Sequence, residues 1–290
     1  MTEITILDGG MGQELVKRHK GEITPLWGSA VMLEQPEIVV DIHCEYIEAG
    51  ADVITINAYT ATPERLKRDG EIESFQKLQQ ASVSLAQKAK DKCGKDIKIA
   101  GSLPPLVGSY VAEVAQDFDT SLASYRRIVE QQADGVDLFI CETMASIPEA
   151  RAAVTAAMET GKPVWNSWTI NDDDTATIRS GEPLSKAIDE LANSGIDGTL
   201  INCSKPEAIN SAWSVLSTAT GPIGTYANGF TSIASLKPGG TVDSLTSRHD
   251  LGPEAYADFC QQWIKDGAAI IGGCCEVGPA HIAELKRRFG

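Results

Sequence analysis

The sequence predicts an α/β protein, a (β/α)8 TIM barrel formed as a single domain by residues 1–290. Short apolar runs that end in Gly, Asn, Ser or Cys recur at intervals of roughly 20–45 residues, with helical patterns between most of them. There are eight such runs, the strand count of a closed barrel. No linker-like change of composition divides the chain, which favours one domain.

The apolar runs are taken in order as the eight strands. They cover residues 4–10, 53–59, 97–103, 138–143, 164–170, 198–204, 222–228 and 268–275. Apolar positions at helical spacing predict helices over 35–49, 74–92, 122–133, 147–160 and 184–193. The polar segment 171–177 is predicted to be a local loop. The Gly/Ser/Thr-rich segment 232–248 is long for a barrel loop and is predicted to be a lid or rim segment.

A doubly wound open sheet is the main alternative to the barrel. Such a sheet more often carries a dinucleotide fingerprint of three spaced glycines after an early strand. Here Gly9, Gly10 and Gly12 follow the first strand with a different spacing. The barrel is therefore favoured.

Composition narrows the classes of function. The net charge is −15 and no basic stripe is visible, which argues against a nucleic-acid partner. No apolar stretch approaches the roughly 18 residues of a membrane span, and the N-terminus carries an acid where a signal peptide needs basic residues. Seven cysteines at these spacings suggest no disulfide framework. We expect a cytoplasmic protein that acts on small molecules; its oligomeric state stays open, a homo-oligomer included.

The cysteines near the end of the chain are the most informative residues. Cys274 and Cys275 are adjacent, follow two glycines, and end the last predicted strand, while Cys203 ends the sixth. Three thiolates at this end of a barrel can hold one Zn²⁺ and leave its fourth position open, as catalytic zinc sites do. The alternative is that these are small buried hydrophobic residues. We apply that interpretation to the other four cysteines (Cys44, Cys93, Cys141 and Cys260).

Polar residues end several other predicted strands. Asp8 ends the first strand and Glu142 lies at the end of the fourth, while Asn57 lies near the end of the second. The glycine-rich turn after Asp8 exposes backbone amides that can bind a carboxylate, although it is also compatible with a simple strand-to-helix turn. Two acids, a set of amides and an open-sided zinc together predict a site for an amino acid that carries a soft donor atom.

The motifs resemble those of the homocysteine S-methyltransferases from the first strand to the last. They are Leu-Asp-Gly-Gly-Met-Gly at 7–12, Leu-Trp-Gly-Ser-Ala at 26–30 with Gln-Pro-Glu at 35–37, Ile-Thr-Ile-Asn-Ala-Tyr at 54–59, Cys-Glu-Thr at 141–143, Asn-Cys-Ser at 202–204 and Gly-Gly-Cys-Cys at 272–275. Two departures stand beside them. Leu200 and Ile201 precede the Asn-Cys pair where the family usually has a small residue, and no proline follows Tyr226.

The resemblance implies a zinc ion held by Cys203, Cys274 and Cys275. It implies that Asp8 and Glu142 bind homocysteine and that amides around Gly9 and Met11 take its carboxylate. Asn57 is a further candidate substrate residue, and Trp27 a candidate for a cation–π contact with a cationic methyl donor.

We therefore expect a zinc-dependent methyltransferase that makes methionine from homocysteine. The expected donor is a sulfonium or quaternary ammonium compound. S-methylmethionine and S-adenosylmethionine are favoured, while a betaine or dimethylsulfoniopropionate is also compatible. Two alternatives stay open, namely another thiol or selenol acceptor such as selenocysteine, and a non-catalytic barrel that binds zinc or thiols. A structural zinc would need a fourth ligand such as His249 or His281, but His281 has the sequence position of a cap of the last helix.

Overall fold

The computed structural model describes residues 3–18, 26–233, 236 and 245–290, with Trp27 described by its backbone alone. The strands are β1 (Thr5–Ile6), β2 (Val53–Thr55), β3 (Lys98–Leu103), β4 (Leu138–Met144), β5 (Val164–Trp168), β6 (Gly198–Asn202), β7 (Ile223–Tyr226) and β8 (Ile270–Ile271). Each lies inside a predicted apolar run, apart from one further residue, Met144, at the end of β4. The helices in the described ranges are α1 (Met11–Arg18), α2 (Trp27–Glu34), α3 (Pro36–Ala49), α4 (Pro63–Arg68), α5 (Phe75–Cys93), α6 (Phe118–Gln132), α7 (Ile147–Met158), α8 (Leu184–Leu191), α9 (Pro206–Leu216), α10 (Pro253–Lys265) and α11 (Pro279–Phe289).

All neighbouring strands pair in parallel in one eight-stranded sheet of order β1-β8-β7-β6-β5-β4-β3-β2. A parallel bridge between Leu7 and Val53, extended by the hydrogen bond from Asp8 N to Val53 O (3.0 Å), joins the two outer strands of this order. The sheet therefore curls into a barrel with its helices outside, and the predicted (β/α)8 fold is confirmed.

The five predicted helices are confirmed as α3, α5, α6, α7 and α8, with ends that shift by up to four residues. The structure adds three helices of six to eight residues, α1, α2 and α4. The shortest, α4, has fewer than two turns, so no apolar period stands out in it. It also adds α9 and α10, and it confirms a last helix, α11, that begins close to His281. Among the described residues, none of the helices is long and apolar enough to cross a membrane.

Apolar residues form two layers on either side of the sheet. The larger cluster lies between strands and helices and includes the fully buried Ile42, Tyr125 and Ile201. The smaller one draws Leu200 from β6, Tyr226 from β7 and other residues from β2, β3, β4 and β8 into the barrel interior. Both faces of each strand are thus covered, which explains why the strands appear as continuous apolar runs.

The predicted loop 171–177 follows the carboxyl end of β5. The segment 171–177 is a local turn closed by an antiparallel bridge between Ile170 and Ile178, as expected. Most of the predicted rim segment 232–248 lies outside the described residues, which here include 232–233, Leu236 and 245–248.

Candidate active site

A cavity opens where the strands end. Its lining includes every residue predicted for the site whose side chain is described (Asp8, Gly9, Met11, Asn57, Glu142, Cys203, Cys274 and Cys275). Trp27 begins α2, but its side chain lies outside the described residues. The residues therefore meet because the carboxyl ends of all the parallel strands lie on one face of a barrel.

The three predicted cysteines lie together in the wall of this cavity. Their sulfur atoms lie within 4.8 Å of one another. Three thiolates around one tetrahedral zinc, each at about 2.3 Å, would lie about 3.8 Å apart, so the cluster fits a metal of that size. The structure joins Cys203 to Cys274 as a disulfide, whereas Cys275 is a free thiol. The spacing of the cysteines suggested no disulfides, and this bond corrects that expectation, whereas the predicted metal ligands stay a prediction. Because a disulfide sulfur is not a thiolate, metal binding by all three residues requires the reduced protein.

Close backbone packing holds the Gly272–Cys275 segment against the first strand. A Cβ at Gly272 would lie 2.5 Å from the Leu7 Cβ, and one at Gly273 would lie 2.0 Å from the Val277 Cγ1. The Gly273 amide donates to the Asp8 carbonyl (2.9 Å). Glycine is therefore required sterically at both positions before the cysteines, because a side chain at either one would push the cysteines away from Asp8.

Asn202 fixes the end of β6 just before Cys203. Its Oδ1 accepts from Thr143 N (2.9 Å) and from Ser167 Oγ (2.8 Å), and its Nδ2 donates to Thr143 Oγ1 (2.9 Å). Ser204, on the other side of the cysteine, accepts from Ile170 N (3.0 Å). One buried amide thus ties together the ends of β4, β5 and β6, which explains the pairing of Asn with Cys.

Several non-glycine residues at strand ends have left-handed backbone conformations. Cys203 has φ 47°, Thr143 follows Glu142 with φ 59°, and Glu276 follows Cys275 with φ 66°. Each such residue costs about 1–3 kcal/mol, and such costs concentrate at functional sites. The three strained residues lie at or next to predicted site residues.

Of the two predicted carboxylates, Asp8 is buried and Glu142 is half-buried, and neither contacts a cation among the described residues. Asp8 accepts from Thr55 N (2.8 Å) and Thr55 Oγ1 (3.4 Å), and Glu142 accepts from Ser102 Oγ. Neither forms an ion pair within the described ranges 3–18, 26–233, 236 and 245–290. Burial raises the pKa of Asp8 to about 8, with repulsion from Glu142 adding to it, and burial raises the pKa of Glu142 to about 7. Two neighbouring carboxylates with raised pKa values and no ion-pair partner indicate a site that receives a cationic group.

The hydrogen bonds of the turn after Asp8 show which of its backbone amides could bind a carboxylate. The Met11 amide donates to Gly9 O and the Gly10 amide to Val277 O, both at 2.9 Å. The next amides, of Gly12 and Gln13 in the first turn of α1, have no acceptor within the described part of the chain. The Met11 amide is thus already bonded, whereas the amides of Gly9, Gly12 and Gln13 have no acceptor among the described residues and could bind a carboxylate.

Two other predicted residues have structural partners. Asn57 lines the cavity and donates from Nδ2 to Gly28 O (2.8 Å), so it fixes α2 beside the site. His281 Nδ1 accepts from the Gly278 amide (3.2 Å) at the start of α11, and Nε2 lies 3.1 Å from Leu251 O. His281 is thus a helix cap, as its position in the sequence predicts.

The sequence did not single out several residues that line the cavity. Tyr226 reaches it from β7, and its buried hydroxyl has no hydrogen-bond partner among the described atoms. Gln13 lies beside Cys275. Burial raises the pKa of the Cys275 thiol to about 12, and the Gln13 side chain acts in the opposite direction. Arg65 and Tyr110 also line it. No feature of the sequence marks Arg65 as a residue of the site.

The comparisons with known proteins agree with this geometry. The family described as homocysteine S-methyltransferase matches residues 5–289. The chain belongs to this family. Homocysteine S-methyltransferase of Escherichia coli (strain K12) is 32% identical, over 99% of this chain and 95% of that protein.

Other relatives show the range of this family. A selenocysteine Se-methyltransferase of Brassica oleracea var. italica is 28% identical over 98% of this chain and 88% of that protein. The crystal structure of the homocysteine methyltransferase MmuM from Escherichia coli in its metallated form has a TM-score of 0.83. Its sequence identity is 30%, and the match covers 99% of this chain and 96% of that one. Membership of the family confirms the predicted class of enzyme, a methyltransferase.

Proposed function

We propose that this chain, as one barrel domain over residues 1–290, transfers a methyl group from a cationic donor to the thiol of homocysteine and so forms methionine. The single observation behind the proposal is that three converging sulfur atoms and two carboxylates without an ion-pair partner line one cavity. An amino acid with a thiol offers one partner for each of these features.

Asp8 and Glu142 would bind the ammonium group of homocysteine. Both line the same cavity and repel each other, and an ammonium group would relieve this repulsion and supply further hydrogen-bond donors. The amides of Gly12 and Gln13 would bind the carboxylate at the positive end of α1. This arrangement would leave the thiol directed to the cysteines.

Cys203, Cys274 and Cys275 would hold the metal, which we propose to be zinc because three thiolates favour a soft or borderline cation. When bound, zinc lowers the pKa of a coordinated thiol and so supplies a thiolate nucleophile at neutral pH. In the transfer, a new S–CH₃ bond forms on the acceptor and the donor's bond to that methyl group breaks. The electron pair of that bond stays on the donor's sulfur or nitrogen.

The walls of the cavity help this step by limiting water. Leu7 and Leu236 line it, and Tyr226 is buried against it. A thiolate and a sulfonium or quaternary ammonium group both lose their charge in the reaction. A site with little water therefore favours the transition state over the separated ions.

The test is methionine formation from homocysteine by the reduced, zinc-loaded protein. S-methylmethionine, S-adenosylmethionine, glycine betaine and dimethylsulfoniopropionate would be compared side by side. Turnover with any of them supports the proposal and identifies the donor. No methionine from all four, with one zinc bound per chain, would contradict it and favour the non-catalytic zinc-binding barrel.

A second acceptor is favoured by one relative, the selenocysteine Se-methyltransferase. Selenocysteine has the same ammonium and carboxylate groups as homocysteine, but a chain shorter by one methylene. The same assay with selenocysteine in place of homocysteine would decide between them by the ratio of kcat/KM values. We expect homocysteine to be preferred, since the family model that matches the chain is that of homocysteine S-methyltransferase.

A further inference from the structure

Arg65 is a buried cation in the wall of the cavity. It lies in α4, whose cap, Thr62, accepts from the Arg65 amide (3.3 Å) and donates to Leu106 O (2.6 Å). The side chain is directed inward, and the residue as a whole is 9% exposed. Its guanidinium lies over the Tyr59 ring, 5.3 Å from the ring centroid. The position of this arginine is thus fixed from both ends.

All the contacts of Arg65 are with neutral groups. One terminal nitrogen donates to Pro105 O (2.9 Å) and to Ser109 Oγ (3.3 Å), and the buried Nε has no partner among the described residues. No Asp or Glu within the described ranges forms an ion pair with it; Glu142 and Glu149 act on it only through longer-range attraction. A buried guanidinium normally has a carboxylate or phosphate partner, because its desolvation is costly.

The neighbouring arginine of the cavity wall shows the usual arrangement. Arg68 forms two hydrogen bonds with Asp69, both of 2.8 Å, and is also bonded to Val107 O. Its charge is therefore compensated within the protein. Arg65 is one turn earlier and more deeply buried, yet lacks such a partner, so the difference points to a partner that arrives with a ligand.

Homocysteine does not require this cation under the proposed binding mode. Its carboxylate would bind the first-turn amides of α1 after β1, and its ammonium group would bind Asp8 and Glu142. Arg65 instead follows β2 and contacts the loop after β3 through Pro105 and Ser109. It therefore remains available to the second substrate, the methyl donor.

We propose that Arg65, with the Ser109 hydroxyl beside it, binds a carboxylate of the methyl donor. The donor would then be a zwitterion, with a methylated sulfonium or quaternary ammonium centre toward the cysteines and a carboxylate at Arg65. A planar guanidinium that has lost water binds a carboxylate through paired, charge-assisted hydrogen bonds. This inference rests on the proposed function and extends it to the selection of the donor.

The first test needs no variant. Kinetics of the reduced, zinc-loaded protein would compare each active donor with its carboxyl methyl ester, for example glycine betaine and dimethylsulfoniopropionate with their esters. We expect kcat/KM to fall by about 10- to 100-fold for the ester, as expected for loss of a charge-assisted pair. Equal use of acid and ester by the wild-type protein would overturn the inference.

The second test separates the two substrates. Arg65→Met removes the positive charge and keeps an unbranched apolar side chain. Arg65→Lys keeps the charge but lacks the planar guanidinium that can form two parallel hydrogen bonds. Arg151→Met is the control. Arg151 is exposed and lies over the Phe118 ring at 5.6 Å, so it matches the cation–π contact of Arg65 outside the cavity. We expect Arg65→Met to lose most of the preference for acid over ester, with Arg65→Lys intermediate and Arg151→Met unchanged.

Binding of homocysteine without a donor, measured by calorimetry, completes the test. We expect the Kd of homocysteine to be the same in the wild type and in Arg65→Met. A weaker Kd together with a retained acid-to-ester ratio would assign Arg65 to the acceptor and overturn the inference. If no donor supports methionine formation, the proposed function fails, and calorimetry of the four donors with both proteins still decides the role of Arg65. Equal binding or no binding would refute it.

Discussion

Replacing Glu142 by glutamine should stabilise the ligand-free protein and weaken homocysteine binding at the same time. The glutamine side chain would keep an oxygen that can accept from Ser102 Oγ, so the main change is the loss of a buried negative charge. Burial raises the pKa of Glu142 from 4.5 to about 7. The folded state therefore binds this proton more tightly than the unfolded state does.

The sign and size of the effect follow from this shift. Between pH 4.5 and about 7 the folded protein holds more protons on Glu142 than the unfolded chain does, so stability falls as pH rises. The full shift corresponds to about 3 kcal/mol. Because the side chain is partly exposed to the cavity, solvent screening reduces this, and we expect a gain of about 1–2 kcal/mol at pH 8. For a chain of 290 residues that corresponds to a rise in Tm of roughly 2–3 °C.

The assay is thermal unfolding of wild type and Glu142→Gln at pH 5 and pH 8, in the same metal and redox state. The gain in Tm should be present at pH 8 and shrink at pH 5, where the wild-type carboxyl is largely protonated. The Kd of homocysteine should rise by about 10- to 100-fold in the variant through loss of a charge-assisted hydrogen bond. A lower Tm at pH 8, or the same gain at both pH values, would refute the reasoning on burial. An unchanged Kd would refute the assignment of Glu142 to the ammonium group.

Three further predictions concern the metal centre. Cys275→Ala should abolish zinc binding, measured by metal analysis, and methyl transfer. Cys44→Ala, which is remote from the cavity, should keep both. Full metal content and activity in Cys275→Ala would disprove the proposed ligands. The fully reduced protein should bind one zinc per chain and the protein with its disulfide closed should bind far less, by titration with a zinc indicator; equal binding in both states would contradict a three-thiolate site. Gly273→Ala should lower the unfolding free energy by about 1–3 kcal/mol, because its methyl group would overlap Val277, while Gly12→Ala, with nothing within 4 Å, should not; equal Tm values for the two variants would show that the segment can move aside.

Much of the fold could be predicted from the sequence because the barrel strands are covered on both faces. Such strands appear as continuous apolar runs, and Val53–Thr55 and Gly198–Asn202 were found from that signal alone. The meeting of Cys203 with Cys274 and Cys275 also follows from topology, since β6 and β8 both lie next to β7. A short helix such as Pro63–Arg68 was not predicted from apolar spacing, because its six residues make fewer than two turns and show no period.

The details of the site could not be predicted because they depend on geometry that spacing does not encode. The disulfide joins residues 71 positions apart, and the sequence does not say which sulfurs approach each other. Which amide of the glycine-rich turn is free depends on how the Gly9 carbonyl is directed toward Met11. Arg65 is an ordinary surface residue type, and only its burial without a carboxylate marks it as unusual.

The left-handed backbone at Cys203 shows how the fold maintains a site that local preference disfavours. Glycine would adopt φ 47° without strain, but it would remove a sulfur atom from the cluster. The conformation is instead held by hydrogen bonds from neighbours on both sides: Asn202 is bonded to Thr143 and Ser167, and Ser204 to Ile170. Buried hydrogen bonds contribute about 1 kcal/mol each, so three of them offset a strain of about 1–3 kcal/mol. The Asn-Cys-Ser sequence is therefore a unit, in which the polar neighbours are needed because the central residue must carry the sulfur.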